Sequence, residues 1–365
     1  MNEKKIQTVD ILIAVAKSGG VENVINMMTN YFCSKDINVR VVQLVYEGDK
    51  WLEKEDCFYH LLSGRDGHTL QEFVAEYSLF IKKNGIPNVV VAEAWPYMCY
   101  VARMALSLCD SSNTKVISHL HAPLSEYARA GYGDMSHIGL ANGHLVISSR
   151  ISSELEGNVI GKLMDVYNPV DFKKIDAYVR NEEVEKRDDV KKLFFVGRIS
   201  PEKSLETVLK AISISSDRWQ LHIVGAGEPE YENKIKEISK DLGLKENKNI
   251  YFYGWQSEPW KIAKDADYIV IASAYEGFPL VAVEALHLGI PVISTPVSGI
   301  SELVQPGVTG YLFPYNDYEM LGKILKCISK GLFPKIDMCT CVNKVKVYEC
   351  NNALNDMYEK IINMV

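Results

Sequence analysis

Short apolar runs rich in Val and Ile recur along the chain, and between them apolar residues return every three or four positions. In the first half the runs fall at 10–16, 38–45, 88–92, 115–120 and 144–148. Each is too short for a buried helix and lacks polar alternation, which predicts a strand covered on both faces. The segment after Gly20, VENVINMMTNYFCSKD, and residues 69–83 carry the helical period. Strands alternating with helices, without regular hairpin signals, predict an α/β fold with a mostly parallel, doubly wound sheet.

The pattern breaks at Asn168-Pro169, where the proline disfavours helix at the Asn, and residues 171–192 are charge-rich with little strand character. A domain boundary is predicted there, with an N-terminal domain over 1–169 and a C-terminal domain over 170–345. Runs at 192–197, 219–225, 249–254, 269–272 and 291–295 supply a second set of strands, with a helix at 204–214 after the first. Two Rossmann-like domains thus follow one another, uninterrupted by short repeats or low-complexity tracts. The tail, 346–364, is helical by pattern, with Val347, Cys350, Leu354, Met357 and Ile361 near one face. By pattern alone it can pack on either domain.

The stretch 267–288, DYIVIASAYEGFPLVAVEALHL, carries the first chemistry. Its strand leads into a loop, Pro279 suits the first helical turn, and Gly289 is placed to end the helix. Glu276 is predicted above the strand's carboxyl edge, with Glu284 more than a turn into the helix and facing the same crevice. A helix N-terminus beside a glycine favours a phosphate. Carboxylates next to a phosphate site are better matched to sugar or ribose hydroxyls, so the combination points to a nucleotide-sugar.

Composition narrows this. The 365 residues, 47% hydrophobic and 24% charged, suit two ordinary globular domains, and a net charge of −7 argues against a general nucleic-acid binder. The eight cysteines are scattered, which suits reduced thiols; Cys339 and Cys341 lack the second pair or nearby His of a metal site. The first residues show no apolar core of a secretory leader, and Pro87, Glu93, Pro96 and Arg103 interrupt the most apolar long stretch. The expectation is a cytoplasmic protein touching a membrane only peripherally.

Arg198 and Lys203 follow a strand end, the edge where open α/β sheets bind ligands. Two cations there can neutralise a diphosphate leaving group; the alternative is a solvated surface pair. Gly19 and Gly20 allow close backbone approach after the first strand, as any tight turn also requires. Gly225-Ala-Gly227 starts like a dinucleotide fingerprint, but Glu230 stands where its third glycine belongs, which disfavours a nicotinamide or flavin enzyme. His119 and His121 share a strand face; one can approach a sugar hydroxyl, and as a zinc pair they lack a third ligand at readable spacing. Trp255 can support a nucleobase, or pack against Trp260.

FFVGRISPEK, the Glu276-to-Glu284 spacing around Gly-Phe-Pro, PVISTPVSGISELV and Gly307-Val-Thr-Gly310 together resemble the retaining family 4 glycosyltransferases. The resemblance covers most of the chain and is strongest over 193–316; WQSEPW and EGFPLVAVEAL further resemble the subgroup of lipopolysaccharide galactosyltransferases. It implies a glycosyltransferase B-type fold, two Rossmann-like doubly wound domains facing a central cleft, with the C-terminal helix, about 346–365, crossing back to the N-terminal domain. It implies no required metal and no cofactor beyond a nucleotide-sugar donor, UDP-linked by family frequency. Carried over, Arg198 and Lys203 hold the diphosphate, and Gly19 and Gly20 close on it. Glu276 stands against the donor sugar with the amides of Gly277, Phe278, Pro279 and Leu280 nearby, Pro279 having no N–H of its own, and Glu284 binds the ribose. His121 matches the family's histidine near the transferred sugar, with His119 as runner-up. The implied reaction moves a hexosyl unit to a glycan or lipid-linked saccharide in cell-surface polysaccharide synthesis. The competing classes are a non-catalytic glycan-binding partner subunit and a sugar-nucleotide epimerase of the same architecture.

Overall fold

The computed structural model describes the chain except for residues 1–5, 17–18, 49, 65–66, 133, 180–189, 216–217 and 365. Lys17 and Ser18 of the first turn, and much of the charged stretch at the predicted boundary, lie outside the described residues. The chain forms two compact units, Met1–Pro169 with Cys350–Val365, and Val170–Glu349.

The first unit is built on β1 (Thr8–Ile13), β2 (Asn38–Tyr46), β3 (Phe58–Ser63), β4 (Val89–Glu93), β5 (Lys115–Leu120), β6 (Gly143–Val146) and β7 (Lys162–Asp165). Every pairing is parallel, in the order β3-β2-β1-β4-β5-β6-β7. Helices cover the sheet, so the central strands are apolar on both faces: Val89, Val90, Val91, Val116 and Ile117 are fully buried. The helix Leu70–Asn84 starts on a capping box, Thr69 and Glu72 each bonding the other's backbone N–H.

The second unit repeats the plan with β8 (Lys191–Val196), β9 (Trp219–Val224), β10 (Ile250–Phe252), β11 (Tyr268–Ile271), β12 (Val292–Ser294) and β13 (Gly310–Leu312). Its sheet is also parallel, in the order β10-β9-β8-β11-β12-β13. Both units are therefore Rossmann-like. In each, the strand order reverses at one place, β1 beside β4 and β8 beside β11. The loops that leave those neighbours diverge and open a crevice at the carboxyl ends, the ligand position of open α/β sheets.

The tail differs from its predicted face. Lys346–Tyr348 is a single 3-10 turn, Glu349 is extended and bridges to Val170, and the helix proper is Cys350–Ile362. Val347 precedes that break and is 46% exposed, whereas Leu354, Met357 and Ile361 are buried. The helix packs in the first unit, where Tyr31 donates to Asn355 at 2.9 Å and Lys360 donates to the Asp165 carbonyl at 2.5 Å. Among the described residues no helix is long and apolar enough to cross a membrane.

Candidate functional site

In the second unit, β8 leads past Arg198 into the 3-10 turn Pro201–Lys203, and β11 leads through Ser273 to Glu276 and the helix Leu280–His287. Because β8 and β11 are neighbours, residues 73 apart in sequence meet: Lys203 Nζ lies 2.5 Å from Glu276 Oε1. Ser273 Oγ donates to the same oxygen at 2.6 Å. The pair is shielded, with side chains 22% and 15% exposed. Arg198 is not held in this way; its side chain is 73% exposed, with Nη2 3.7 Å from Glu202 Oε1. A cavity of about 920 Å³ opens beside it, lined also by Ser200, Glu202, Gly227, Tyr231 and Tyr275.

Gly225 and Gly227 have a packing explanation. The ladder between β8 and β9 continues into the loops, and a Cβ on either glycine would stand 1.8 Å from the carbonyl oxygen of Gly197 or Ile199. Only glycine allows this approach, so the pair needs no dinucleotide to account for it.

The Glu276–Glu284 stretch departs from its prediction at one point. Pro279 is the N-cap, at ψ 90°, and not a residue of the first turn; its carbonyl accepts from Ala282 N–H at 2.9 Å, and the helix starts at Leu280. Phe278 is buried against Gly299 and Tyr348, so it offers a ligand only its backbone. Glu284 is half-buried and bonded to the protein itself, accepting from Trp260 Nε1 at 2.8 Å. The two tryptophans part ways, since Trp260 is buried and Trp255 is 74% exposed.

Burial pushes the Glu284 carboxyl up to about 7, against the pull of the Trp260 N–H. The folded chain thus holds this proton more tightly than the unfolded chain, whose carboxyl sits near the ordinary 4.5. Between those values the folded state binds more protons, so this group makes stability fall as pH rises, and it contributes nothing below both. Glu284→Gln keeps an oxygen for Trp260 and removes the titration. The variant is expected to match the wild type near pH 4 and exceed it by at most about 3 kcal/mol above pH 7, read by urea denaturation at both pH values. Parallel pH curves for the two proteins would refute this.

In the first unit, Gly19 is the N-cap of the helix Gly20–Cys33 and is extended, a conformation open to any residue, so the turn itself does not demand glycine. Both glycines are exposed at the carboxyl end of β1. The histidines are better defined. The β4–β5 register sets Glu93 directly beside His119, and the two-residue strand period brings His121 to the same face. Glu93 Oε1 lies 3.1 Å from His119 Nδ1, and Oε2 lies 2.8 Å from His121 Nε2. All three are buried.

Burial alone would raise the Glu93 carboxyl, but the fields and hydrogen bonds of His119 and His121 outweigh it and hold it at about 2. Burial, with His119 alongside, lowers His121. Glu93 is therefore the charged member and His121 the neutral one near pH 7. Glu93, absent from the predicted site, is the third donor that the His-x-His spacing lacked. Among the described residues, Glu93, His119 and His121 are the group able to hold a metal, their ligand atoms lying within 4.8 Å of one another. The opposite face carries a separate pair, Ser118 Oγ and His144 Nδ1 at 2.7 Å.

Residues 179–331 match the family described as glycosyl transferases group 1. This segment is a group 1 glycosyltransferase domain. Arg198, Lys203, Trp255, Glu276 and Glu284 all lie inside it; Gly19, Gly20, Glu93, His119 and His121 do not. The chain is similar to the lipopolysaccharide 1,6-galactosyltransferase of Salmonella typhimurium, 33% identical over 202 residues, 53% of this chain and 54% of that protein. It is similar to the Escherichia coli protein of the same name, 27% identical over 325 residues, 83% of this chain and 84% of that one. The match thus spans about half the Salmonella relative. Among solved structures, the lipopolysaccharide outer core galactosyltransferase WaaB superposes with TM-score 0.80 at 23% identity, covering 99% of this chain and 100% of that one. Anabaena HepE, solved with UDP, superposes with TM-score 0.77 at 17% identity, covering 98% and 100%. The group 1 domain therefore sits in a chain of glycosyltransferase B-type fold.

Proposed function

We propose that this chain is a retaining glycosyltransferase that moves a hexosyl unit from a UDP-sugar to a glycan or lipid-linked saccharide in cell-surface polysaccharide synthesis. The observation that carries the reading is the Lys203–Glu276 pair at the adjoining carboxyl ends of β8 and β11, with Arg198 on the same loop as Lys203. A cation placed beside a carboxylate suits a diphosphate joined to a sugar: Lys203 and Arg198 take the phosphate charge, and Glu276 takes sugar hydroxyls. The group 1 domain and the galactosyltransferase relatives support the same reading.

In this mechanism the bond from the anomeric carbon to the diphosphate oxygen breaks as the acceptor hydroxyl attacks from the same face. The departing oxygen takes the acceptor's proton, and Arg198 and Lys203 stabilise its charge. Their two positive charges do the work that a metal would otherwise supply. Glu284 binds ribose hydroxyls and Trp255 supports the base. The amides of Gly19 and Gly20 serve the diphosphate, and His121 serves the transferred sugar. The protein works in the cytoplasm, at most peripherally on the membrane that holds its acceptor.

The test is UDP release from a panel of UDP-hexoses, with and without saccharide acceptors. Acceptor-dependent release giving an α-linked product from an α-linked donor is expected. Release or isomerisation of donor without acceptor would favour an epimerase, and tight donor binding with no turnover would favour a partner subunit.

A further inference from the structure

Glu93 and His119 have no task in the transfer just described, yet both are fully buried. A buried carboxylate is costly unless its oxygens are satisfied, and apolar residues of similar volume usually serve stability as well or better. Here each oxygen faces one imidazole nitrogen. Only a carboxylate can accept from both rings; an amide accepts through one atom and donates through the other. Ala94, directly after Glu93, is held at φ 61°, a strained conformation for a residue with a side chain, and its N–H bonds the His119 carbonyl at 2.9 Å. The His119 ring packs 4.2 Å from the His121 ring, and the His121 backbone N–H donates to Tyr127 Oη at 3.3 Å. The ring of His121 is thus held by Glu93 and His119, and its backbone by Tyr127.

We propose that Glu93 is the positioning residue for His121: its carboxylate accepts a hydrogen bond from the Nε2–H of His121 and so keeps the proton on Nε2, leaving Nδ1 as the unprotonated nitrogen offered to a saccharide hydroxyl. The proposal rests on the assignment of His121 to the transferred sugar. It concerns the tautomer, which the ring's position alone does not determine, and it gives His119 the part of occupying the other carboxylate oxygen and bracing the ring. The three donors also sit close enough for a metal, but two N–H groups already satisfy the carboxylate, and binding a cation would displace both.

The experiment combines nitrogen-15 histidine ring spectra of the whole protein without substrate, transfer kinetics, and metal analysis of the purified protein. His121→Asn identifies the His121 signals. The wild type is expected to carry its His121 proton on Nε2, and Glu93→Gln to disturb that tautomer. Glu93→Gln should lower kcat roughly 10- to 100-fold with little change in donor KM. The double variant Glu93→Gln/His121→Asn should be no slower than His121→Asn alone, because the two residues act as one unit. A wild-type proton on Nδ1, losses that multiply in the double variant, or a stoichiometric metal lost with Glu93→Gln would each overturn the proposal. If Glu93→Gln fails to fold, the wild-type spectrum still decides. A His121→Asn variant as fast as wild type overturns the proposal through His121 itself. An Nε2–H spectrum in a protein that transfers no sugar would instead support the positioning and fault the proposed function.

Discussion

In the proposed transfer, Lys203→Ala is expected to slow turnover of bound donor by roughly 100- to 1000-fold while changing donor affinity much less, because there the ammonium would stabilise charge that grows only as the diphosphate leaves. The structure gives this asymmetry a basis. Lys203 is already fixed by Glu276 at 2.5 Å and largely shielded from water, so its charge is in place before reaction. Arg198 is 73% exposed and only loosely paired with Glu202, so ordering it falls on the binding step. Arg198→Ala should therefore raise donor KM more than Lys203→Ala does. Lys203→Arg should rescue poorly, since the planar fork cannot occupy the point position beside Glu276 and Ser273. Single-turnover kinetics with saturating UDP-sugar separates the two effects, and Glu276→Gln should likewise impair transfer. Equal losses in kcat and affinity for Lys203→Ala would refute the division of labour.

What the sequence discloses follows from where each strand lies. The central strands β1, β2, β4, β5, β8, β9 and β11 read as short runs dominated by apolar residues, with few polar interruptions, because helices cover both faces. The strands left unread were β3, β7 and β13, and all three are sheet edges. β3 is half-exposed along its length, so it does not show the run that marks a buried strand. The chemistry divides similarly. Residues joined within one loop, such as Arg198 and Lys203 or Glu276 and Pro279, stand together in the sequence. Partners brought together by packing do not: Glu93 is 26 residues from His119, and Trp260 is 24 from Glu284. Glu93 lay just past a recognisable strand, and only the parallel register of β4 and β5 places it beside His119. The carboxyl of Glu284 was legible as a position; its shift toward 7 was not, because that depends on the indole and the burial around it.

The largest expected loss of stability lies in the first unit, where the parallel register of β1 and β2 buries an ion pair. Asp10 on β1 and Arg40 on β2 are cross-strand partners, and both are buried. Arg40 grips the carboxylate with Nε at 2.5 Å and Nη2 at 2.9 Å, while its Nη1 caps the carbonyls of Asn84 and Gly85 at 2.7 and 2.9 Å. Tyr77 donates to Asp10 at 2.7 Å. The cluster ties two central strands to the end of the helix Leu70–Asn84. Removing one charge leaves the other buried and uncompensated, so Arg40→Met is expected to destabilise the first unit by about 3–5 kcal/mol, and Asp10→Leu by a similar amount. The double variant Asp10→Leu/Arg40→Met should recover much of the loss, because what destabilises is the orphaned charge more than the missing attraction. Two units make a single unfolding transition unsafe to assume, so the measurement is urea denaturation followed by separate probes, Trp51 and Trp95 for the first unit and Trp219 for the second. The Trp219 transition should stay near its wild-type midpoint. A double variant as unstable as the sum of the singles would mean that the cluster is held by its individual hydrogen bonds to Asn84, Gly85 and Tyr77, and that charge pairing is incidental to it.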